Sequence, residues 1–284
     1  MVLLKAVGYK CLDFLKALWN NFAFVMWFLF YMALFLLFTG GYAIYFYIVT
    51  VPLAFSPMAE GVWRMVSGVR PLRGKTEKQR LYPLFKEVYE GAITVNPRIS
   101  KRIKLYVHED MDINAFAFGR KTMIFTRGSI ELLSDESLKG LIAHELGHFN
   151  YWHTHALLLS TVGNLPMVLI LKKLFDLKNH FSGKLERDEI VQRGFRGLYN
   201  IIYYFFRGIH FIGEMILMNS SRRHEFQADE FARRSGFGYE LAYVLGEINR
   251  ISMSGKWSIK DRLLSTHPQI NRRIEALEKN MASG

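Results

Sequence analysis

The chain has 284 residues, half of them hydrophobic, and a formal net charge of +12, which leaves room for one or two domains with a sizeable core. Its single cysteine, Cys11, excludes an intrachain disulfide. No recognised nucleic-acid motif is present, so the basic charge indicates a membrane surface as partner and argues against nucleic acid.

An uncharged hydrophobic region runs from Ala17 to Ala59 and is divided by Gly40-Gly41. It is too long for the hydrophobic segment of a signal peptide. The N-terminal flank carries lysines and the C-terminal flank carries lysines and arginines. Such residues belong on the cytoplasmic side, so two crossings fit better than one. Each half reaches about 18 to 23 residues, enough for a span, if residues 17–21 and 56–59 are included. We therefore predict a cytoplasmic tail over residues 1–16 and a transmembrane hairpin over residues 17–59.

After this region, the spacing of hydrophobic residues changes from that of a membrane span to that of a globular domain. The segment "TEKQRLYPLFKEVYEGA" has helical spacing, whereas "RIKLYVHED", "INAFAFG" and "KTMIFT" alternate as short strands. Gly119-Arg120, between the last two, is typical of a tight hairpin. Ser134 or Asp135 can cap a helix that continues to His148 and ends near Asn150. These elements predict an α+β fold, mainly helical, with a small antiparallel sheet.

A second hydrophobic region predicts a helical hairpin over residues 154–218. Arg207 and Glu214 would each cost about 2.5 kcal/mol or more at the bilayer centre. The connecting segment, residues 172–197, carries seven basic and four acidic residues, which opposes its transfer across the membrane. The hairpin either spans the membrane or is associated with one side of it, and both alternatives stay open.

The segment "LIAHELGHFN", residues 141–150, carries the strongest chemical signal. Residues i and i+4 share one face of a helix, so His144 and His148 can supply two corners of a zinc tetrahedron. Glu145 is rotated about 100° around the helix, where it can take a proton from water activated by the metal. Gly147 leaves room for another backbone. A shuffled chain of this composition would show the motif with a probability of roughly two in a hundred.

A third ligand is required, and "SSRRHEFQADEFA" offers Glu225. Asp229 lies one turn later on the same face, where it can accept a hydrogen bond from a ligand imidazole and orient the ring. His224 is the competing ligand. His153 and His155 are expected at the membrane interface and not on the metal.

The position of these ligands along the chain restricts the topology. If His148 and Glu225 bind one metal, the chain between them must leave and return on the same side of the membrane, with zero or two crossings. Together with two N-terminal crossings, this predicts one Zn²⁺ per chain on the cytoplasmic side.

Four segments in this order, "NAFAFG", "HELGH", "EFQAD" and "THPQINRRI", resemble the HtpX-type membrane zinc metalloproteases, relatives of the CAAX prenyl endopeptidases. The likeness covers about residues 75–284. It implies a zincin-like metalloprotease domain in two parts, residues 60–153 and 219–284, on either side of the second hydrophobic hairpin. It also implies that the zinc ligands are His144, His148 and Glu225 and that the general base is Glu145.

The resemblance further assigns contacts to the substrate. An edge strand would pair with an extended substrate by strand addition, although an ordinary core strand is equally compatible with the alternation. This strand comprises Asn114, Ala115, Phe116, Ala117, Phe118 and Gly119. His267 and Arg273 match the family's spacing of a histidine and an arginine near the active site, where a positive group could stabilise an oxyanion. A solvated helix face is the alternative for this segment.

We therefore expect a multi-pass zinc endopeptidase of the cytoplasmic (inner) membrane that cleaves misfolded or membrane proteins. The expected partners are protein or peptide substrates and the lipid bilayer. One rival is a CAAX-type prenyl-protein processing protease. The other is a non-catalytic membrane scaffold with structural zinc, whose site a fourth ligand such as His224 or His267 would close.

Overall fold

The structure is a computed structural model that describes residues 15–39, 41–119, 121–182, 189–253 and 270–282. The chain divides into two compact units. One comprises Leu53–Leu158, Ser221–Gly284 and the N-terminal residues up to Asn21, and the other comprises Phe22–Pro52 and Leu159–Ser220. The elements in chain order are α1 Phe22–Thr39, α2 Ala43–Ala54, α3 Pro57–Val66, β1 Arg70–Pro71, α4 Lys75–Val95, β2 Lys104–His108, β3 Ala115–Phe118, β4 Thr122–Thr126, α5 Arg127–Leu132, α6 Asp135–Asn150, α7 His153–Ser182, α8 Glu189–Ala232, a π-helical turn Arg233–Phe237, α9 Gly238–Met253 and α10 Ile270–Ala282.

By length and composition, two described helical stretches could cross a membrane, His153–His180 and Arg196–Arg250. Helices α2 and α3 are bent by 75° at the short break between them. If the two count as one broken span, the number of candidate spans rises to three. The expectation that the second half of the first hydrophobic region continues through residues 56–59 as one helix is therefore wrong. The Ser56 side chain accepts a hydrogen bond from the Ala59 N–H and caps α3, which starts a new helix in a different direction.

The unit that contains α1 and most of α7 and α8 pairs its polar side chains internally. The Trp27 indole N–H donates to the Asn164 side chain at 3.0 Å. The Tyr31 hydroxyl lies 2.9 Å from Nδ1 of His210. Pairing of this kind satisfies polar groups that would be costly to leave alone among apolar helices.

The sheet has four strands in the order β1-β2-β4-β3. The predicted hairpin is present, because β3 and β4 are antiparallel with Phe118 opposite Thr122. The sheet is mixed and not antiparallel throughout, since β2 and β4 run parallel. All five residues of β4 are buried, which suits a central strand, whereas β3 has three partly exposed residues and takes the edge.

Helix α6 is the centre of the globular unit and packs against α4, β3 and α9. The predicted start is confirmed, because the Ser134 side chain accepts a hydrogen bond from the Ser137 N–H. The predicted end at Asn150 is confirmed as well. One side of the helix contributes Leu138, Ile142 and Leu146, all fully buried, to the main hydrophobic core. The packing therefore fixes the direction in which the polar residues of α6 point.

Candidate metal centre and active site

The polar face of α6 is enclosed within the globular unit. His144 and Glu145 are each only 4% exposed, and the His148 side chain is partly buried. Charged or polar groups at this depth need partners, because desolvation is costly. Those partners come from α8, α10, β3 and the start of α7.

Helix α8 approaches α6 at Gly147. A Cβ atom at Gly147 would lie 2.7 Å from the Cα atom of Ala228, so a larger residue would force the helices apart. This close approach confirms the room expected at Gly147. Because Ala228 lies between Glu225 and Asp229 on α8, the contact brings both carboxylates beside the imidazoles of α6.

Three side chains converge with the geometry of a metal site. Nε2 of His144 lies 3.1 Å from Nε2 of His148; the first nitrogen lies 3.5 Å from Oε2 of Glu225 and the second 3.5 Å from Oε1. A tetrahedral ion with ligands at 2.0–2.1 Å requires separations of about 3.3–3.4 Å between ligand atoms. The nitrogen and carboxylate donors therefore suit a zinc ion in both spacing and chemistry. Within the described part of the chain, no other group of three His, Cys, Asp or Glu residues comes together in this way.

The charges around this point also favour a cation. Burial disfavours protonation of His144, but hydrogen bonds to Asp229 and Glu225 outweigh it and raise the His144 pKa to about 10. At His148, burial and the neighbouring His144 lower the pKa to about 3. The carboxylates of Asp229 and Glu225 thus stabilise one positive charge on the two imidazoles. A bound metal ion would supply that positive charge in place of the proton.

Asp229 and Arg273 lie behind the metal-facing atoms. Oδ1 of Asp229 is 2.9 Å from Nδ1 of His144, the ring nitrogen opposite the cluster. The Arg273 guanidinium, 4% exposed, donates two hydrogen bonds to Asp229 at 2.6 and 2.7 Å. Its third nitrogen lies 2.8 Å from Glu225. Arg273 therefore lies on the buried face of α10, and the alternative of a solvated position is wrong for this residue.

Glu145 is joined to the predicted substrate strand. The Ala117 N–H of β3 donates to Oε2 of Glu145 at 2.7 Å. Alternate residues of a strand direct their N–H groups to opposite sides, so this group points away from β4. The aromatic side chains of β3 are covered on their own face, since Phe118 stacks on Trp63 of α3 with ring centroids 3.9 Å apart. The strand thus presents its open edge toward the candidate base.

The site lies inside the part of the chain, residues 83–281, that matches the family model "Peptidase family M48". The match extends over well more than half of the sequence. The chain belongs to peptidase family M48. This membership confirms the resemblance drawn from the four sequence segments.

The proteins similar to this M48 peptidase include members of both groups named by that resemblance. A "Protease HtpX homolog" of Bacillus pumilus is 24% identical over 250 residues, which are 79% of this chain and 80% of the relative. A second, of a Sulfurovum species, is 28% identical over 61% of this chain and 68% of its own length. A "CAAX prenyl protease 1 homolog" of Mus musculus is 28% identical over 51% of this chain but only 30% of its own length.

A solved structure shows the same fold. The crystal structure of S. mikatae Ste24p superposes with a TM-score of 0.51 at 18% identity, and the match covers 95% of this chain and 66% of that chain. With these relatives and its candidate spans, the M48 peptidase is a membrane protein, and its family makes it a protease of the metal-dependent kind.

Two further candidate residues of the M48 peptidase are His267 and His224. His267 lies outside the described residues. His224 does not join the three-residue cluster; its ring stacks on His153 with centroids 3.8 Å apart, and its Nε2 lies 3.3 Å from the Asn20 carbonyl oxygen.

His153 was expected at the membrane interface and not on the metal; it is the first residue of a candidate membrane span and does not belong to the three-residue cluster, but it contacts one of the cluster histidines. The residue is 5% exposed, and its Nδ1 lies 3.0 Å from Nδ1 of His148. Helical spacing could not reveal this contact, because His153 follows α6 after a turn in which Trp152 has a φ of 63°. The histidine five residues after the motif was the only signal in the sequence.

Proposed function

We propose that this protein is a membrane zinc endopeptidase that cleaves misfolded or membrane proteins on the cytoplasmic side. The observation that carries the proposal is the convergence of His144, His148 and Glu225 beside Glu145, with one ligand atom from each of the three within 4.8 Å of the others. His224 is engaged elsewhere, which supports an open catalytic site over a closed structural one.

In the proposed reaction, His144, His148 and Glu225 would hold the zinc ion. When bound, zinc supplies Lewis acidity, which acidifies water and polarises a carbonyl group. The Glu145 carboxylate takes a proton from the attacking water as its oxygen bonds to the scissile carbonyl carbon. Glu145 then delivers that proton to the amine nitrogen as the C–N bond breaks, which regenerates the carboxylate.

Strand β3 is the proposed substrate platform. An extended peptide can add to the open edge of a sheet through main-chain hydrogen bonds. Ala117 lies on this edge and already donates to Glu145, so a substrate bound alongside β3 would lie next to the general base. Of the two alanines expected to leave room on the face opposite Phe116 and Phe118, Ala115 is buried in the main hydrophobic core, so only the partly exposed Ala117 can offer that room.

A prenyl-protein processing activity is the second candidate, because CAAX prenyl protease homologues and Ste24p are among the similar proteins. The HtpX homologues of Bacillus pumilus and Sulfurovum match more of this chain and a larger share of their own length than the CAAX prenyl protease homologue does, which favours an endopeptidase of broader substrate range. A panel of peptides with and without a C-terminal prenyl group separates the two. Cleavage that requires the lipid would support the second candidate.

The central experiment compares purified, detergent-solubilised wild type with Glu145→Gln on an unfolded protein reporter, with zinc content measured on both. We expect one zinc per chain in each protein and loss of turnover by about 100-fold or more in Glu145→Gln, because the proton acceptor is removed while the ligands stay.

The matched control is Glu136→Gln, an exposed glutamate in the first turn of the same helix, which should cleave like the wild type. Undiminished turnover by a clean preparation of Glu145→Gln would refute the assigned role of Glu145. If all three proteins bind zinc but none cleaves any of several reporters in several lipids, the result would favour a processing enzyme of narrow substrate specificity or a scaffold.

A further inference from the structure

A second hydrogen-bond chain leads away from the candidate metal centre on the side opposite Asp229. Nε2 of His148 faces the ligand cluster, which leaves Nδ1 as its other ring nitrogen. That Nδ1 lies 3.0 Å from Nδ1 of His153. Nε2 of His153 in turn lies 3.0 Å from the side-chain carbonyl oxygen of Gln227, two residues beyond Glu225 on α8. The chain therefore connects α6, the start of α7 and α8.

The proton positions in this chain follow from its far end. The Gln227 carbonyl oxygen can only accept, so Nε2 of His153 must carry the proton and donate. In the neutral ring, Nδ1 of His153 is then an acceptor, and Nδ1 of His148 must donate to it. This leaves the lone pair of His148 on Nε2, the nitrogen that faces His144 and Glu225. Gln227 and His153 thus select the tautomer of His148 that can bind a metal.

His153 is itself held firmly. Its ring stacks on His224 at a centroid distance of 3.8 Å and an interplanar angle of 7°. Its other neighbour is Tyr151, stacked at 5.5 Å. The left-handed backbone at Trp152, with φ of 63°, turns the chain so that the first residue of α7 faces the last turn of α6. His153 is therefore confined to one orientation relative to His148.

We propose that His153 is a positioning residue for the metal centre, which fixes the ring orientation and the tautomer of His148. The inference rests on the proposed zinc site. It makes the two ligand histidines different in kind, because His144 is oriented by the Asp229 carboxylate and His148 by a neutral imidazole. Hydrogen bonds to the outer nitrogen of a ligand imidazole typically change metal affinity by 10–100-fold.

The test measures the zinc dissociation constant by competition with a chelator for the wild type and three variants. His153→Leu removes the acceptor, and we expect its dissociation constant to rise about 10–100-fold. His153→Asn places a carbonyl oxygen near the position of Nδ1 and should recover most of the affinity. His155→Asn is the matched control, since His155 lies in the same first turn of α7 but stacks on Phe55, and it should bind zinc like the wild type.

A second measurement separates positioning from packing. In the cobalt-substituted protein, the visible absorption bands of His153→Leu should shift from those of the wild type, and those of His153→Asn should return toward them, because the bands report ligand geometry. If His153→Leu does not fold, His153→Gln replaces it, since its longer side chain carries the oxygen past the Nδ1 position, and it should bind zinc more weakly than His153→Asn.

Two outcomes would overturn the inference while leaving the proposed function intact. One is wild-type zinc affinity and cobalt spectrum in His153→Leu or His153→Gln. The other is equal weakening in His153→Asn and His155→Asn, which would indicate a general loss of packing at the start of α7. Absence of zinc binding by the wild type would overturn the proposed function and this inference together.

Discussion

Arg273 links the proposed ligand Glu225 to Asp229, which lies behind the candidate site. Its guanidinium makes two hydrogen bonds to Asp229 and an ion pair with Glu225, all buried. We expect Arg273→Gln to lower the free energy of unfolding of the metal-free protein by about 3–5 kcal/mol, because the variant leaves buried carboxylates without a compensating charge. Denaturant unfolding in detergent measures this loss, and the exposed neighbour Arg272→Gln should stay within about 0.5 kcal/mol of the wild type.

The same variant tests the predicted role of Arg273 at the oxyanion. If full activity returns once Arg273→Gln is saturated with zinc, the residue acts by positioning Glu225 and Asp229. If kcat stays about 100-fold lower with zinc bound and KM unchanged, the guanidinium contacts the reacting group. Unchanged stability of the metal-free variant would contradict the buried ion pairs.

At the scale of elements, the approach of α8 to α6 depends on Gly147. A methyl group there would meet the Ala228 backbone at 2.7 Å, which a rigid helix cannot relieve by a side-chain movement. We expect Gly147→Ala to cost about 1–3 kcal/mol of stability through overpacking. Zinc affinity should fall by about 10-fold or more, because Glu225 moves with α8. Thermal unfolding and chelator competition measure the two effects.

Gly246→Ala in α9 is the matched control for that substitution. It also lies within a helix, but an added Cβ there has no neighbour within 4 Å among the described residues. It should stabilise the protein by about 0.4–1 kcal/mol, since alanine reduces the entropy of the unfolded chain. Destabilisation by both variants would show that helix packing at Gly147 is not the cause.

At the scale of the whole molecule, charge determines the expected orientation in the membrane. The basic flanks of the first hydrophobic region predict that residues after it face the cytoplasm. In a Cys11→Ser background, a cysteine at Lys101 should react with a membrane-impermeant maleimide only after cells are opened. A cysteine at Tyr42, at the turn between α1 and α2, should react in intact cells.

These two positions act as controls for each other, because the same reagent must give opposite results. Labelling of the Lys101 position in intact cells would place the globular unit on the outer side. Protection of both positions in intact cells would indicate that the first hydrophobic region dips into the membrane without crossing it.

Local geometry explains which parts of the site could be predicted from the sequence. His144 and His148 share a face because they lie four residues apart in one helix, whatever surrounds that helix. The hairpin of β3 and β4 and the cap at Ser134 are local in the same sense. The sheet order is not local in this sense. Strand β4 lies beside β2 because both faces of β4 are buried, and burial depends on tertiary packing.

The sequence by itself determined the hydrophobic regions, the histidine pair with its glutamate, and the short strands, since each depends on neighbours within a few residues. Only the tertiary structure decided which distant groups meet that pair. Glu225 and Asp229 reach it because α8 packs at Gly147, while His224 turns toward His153. Arg273 is buried against both carboxylates, although its sequence segment reads equally as a solvated helix face. Such contacts join residues far apart in the chain. They depend on how the helices pack, and local sequence patterns do not predict that packing.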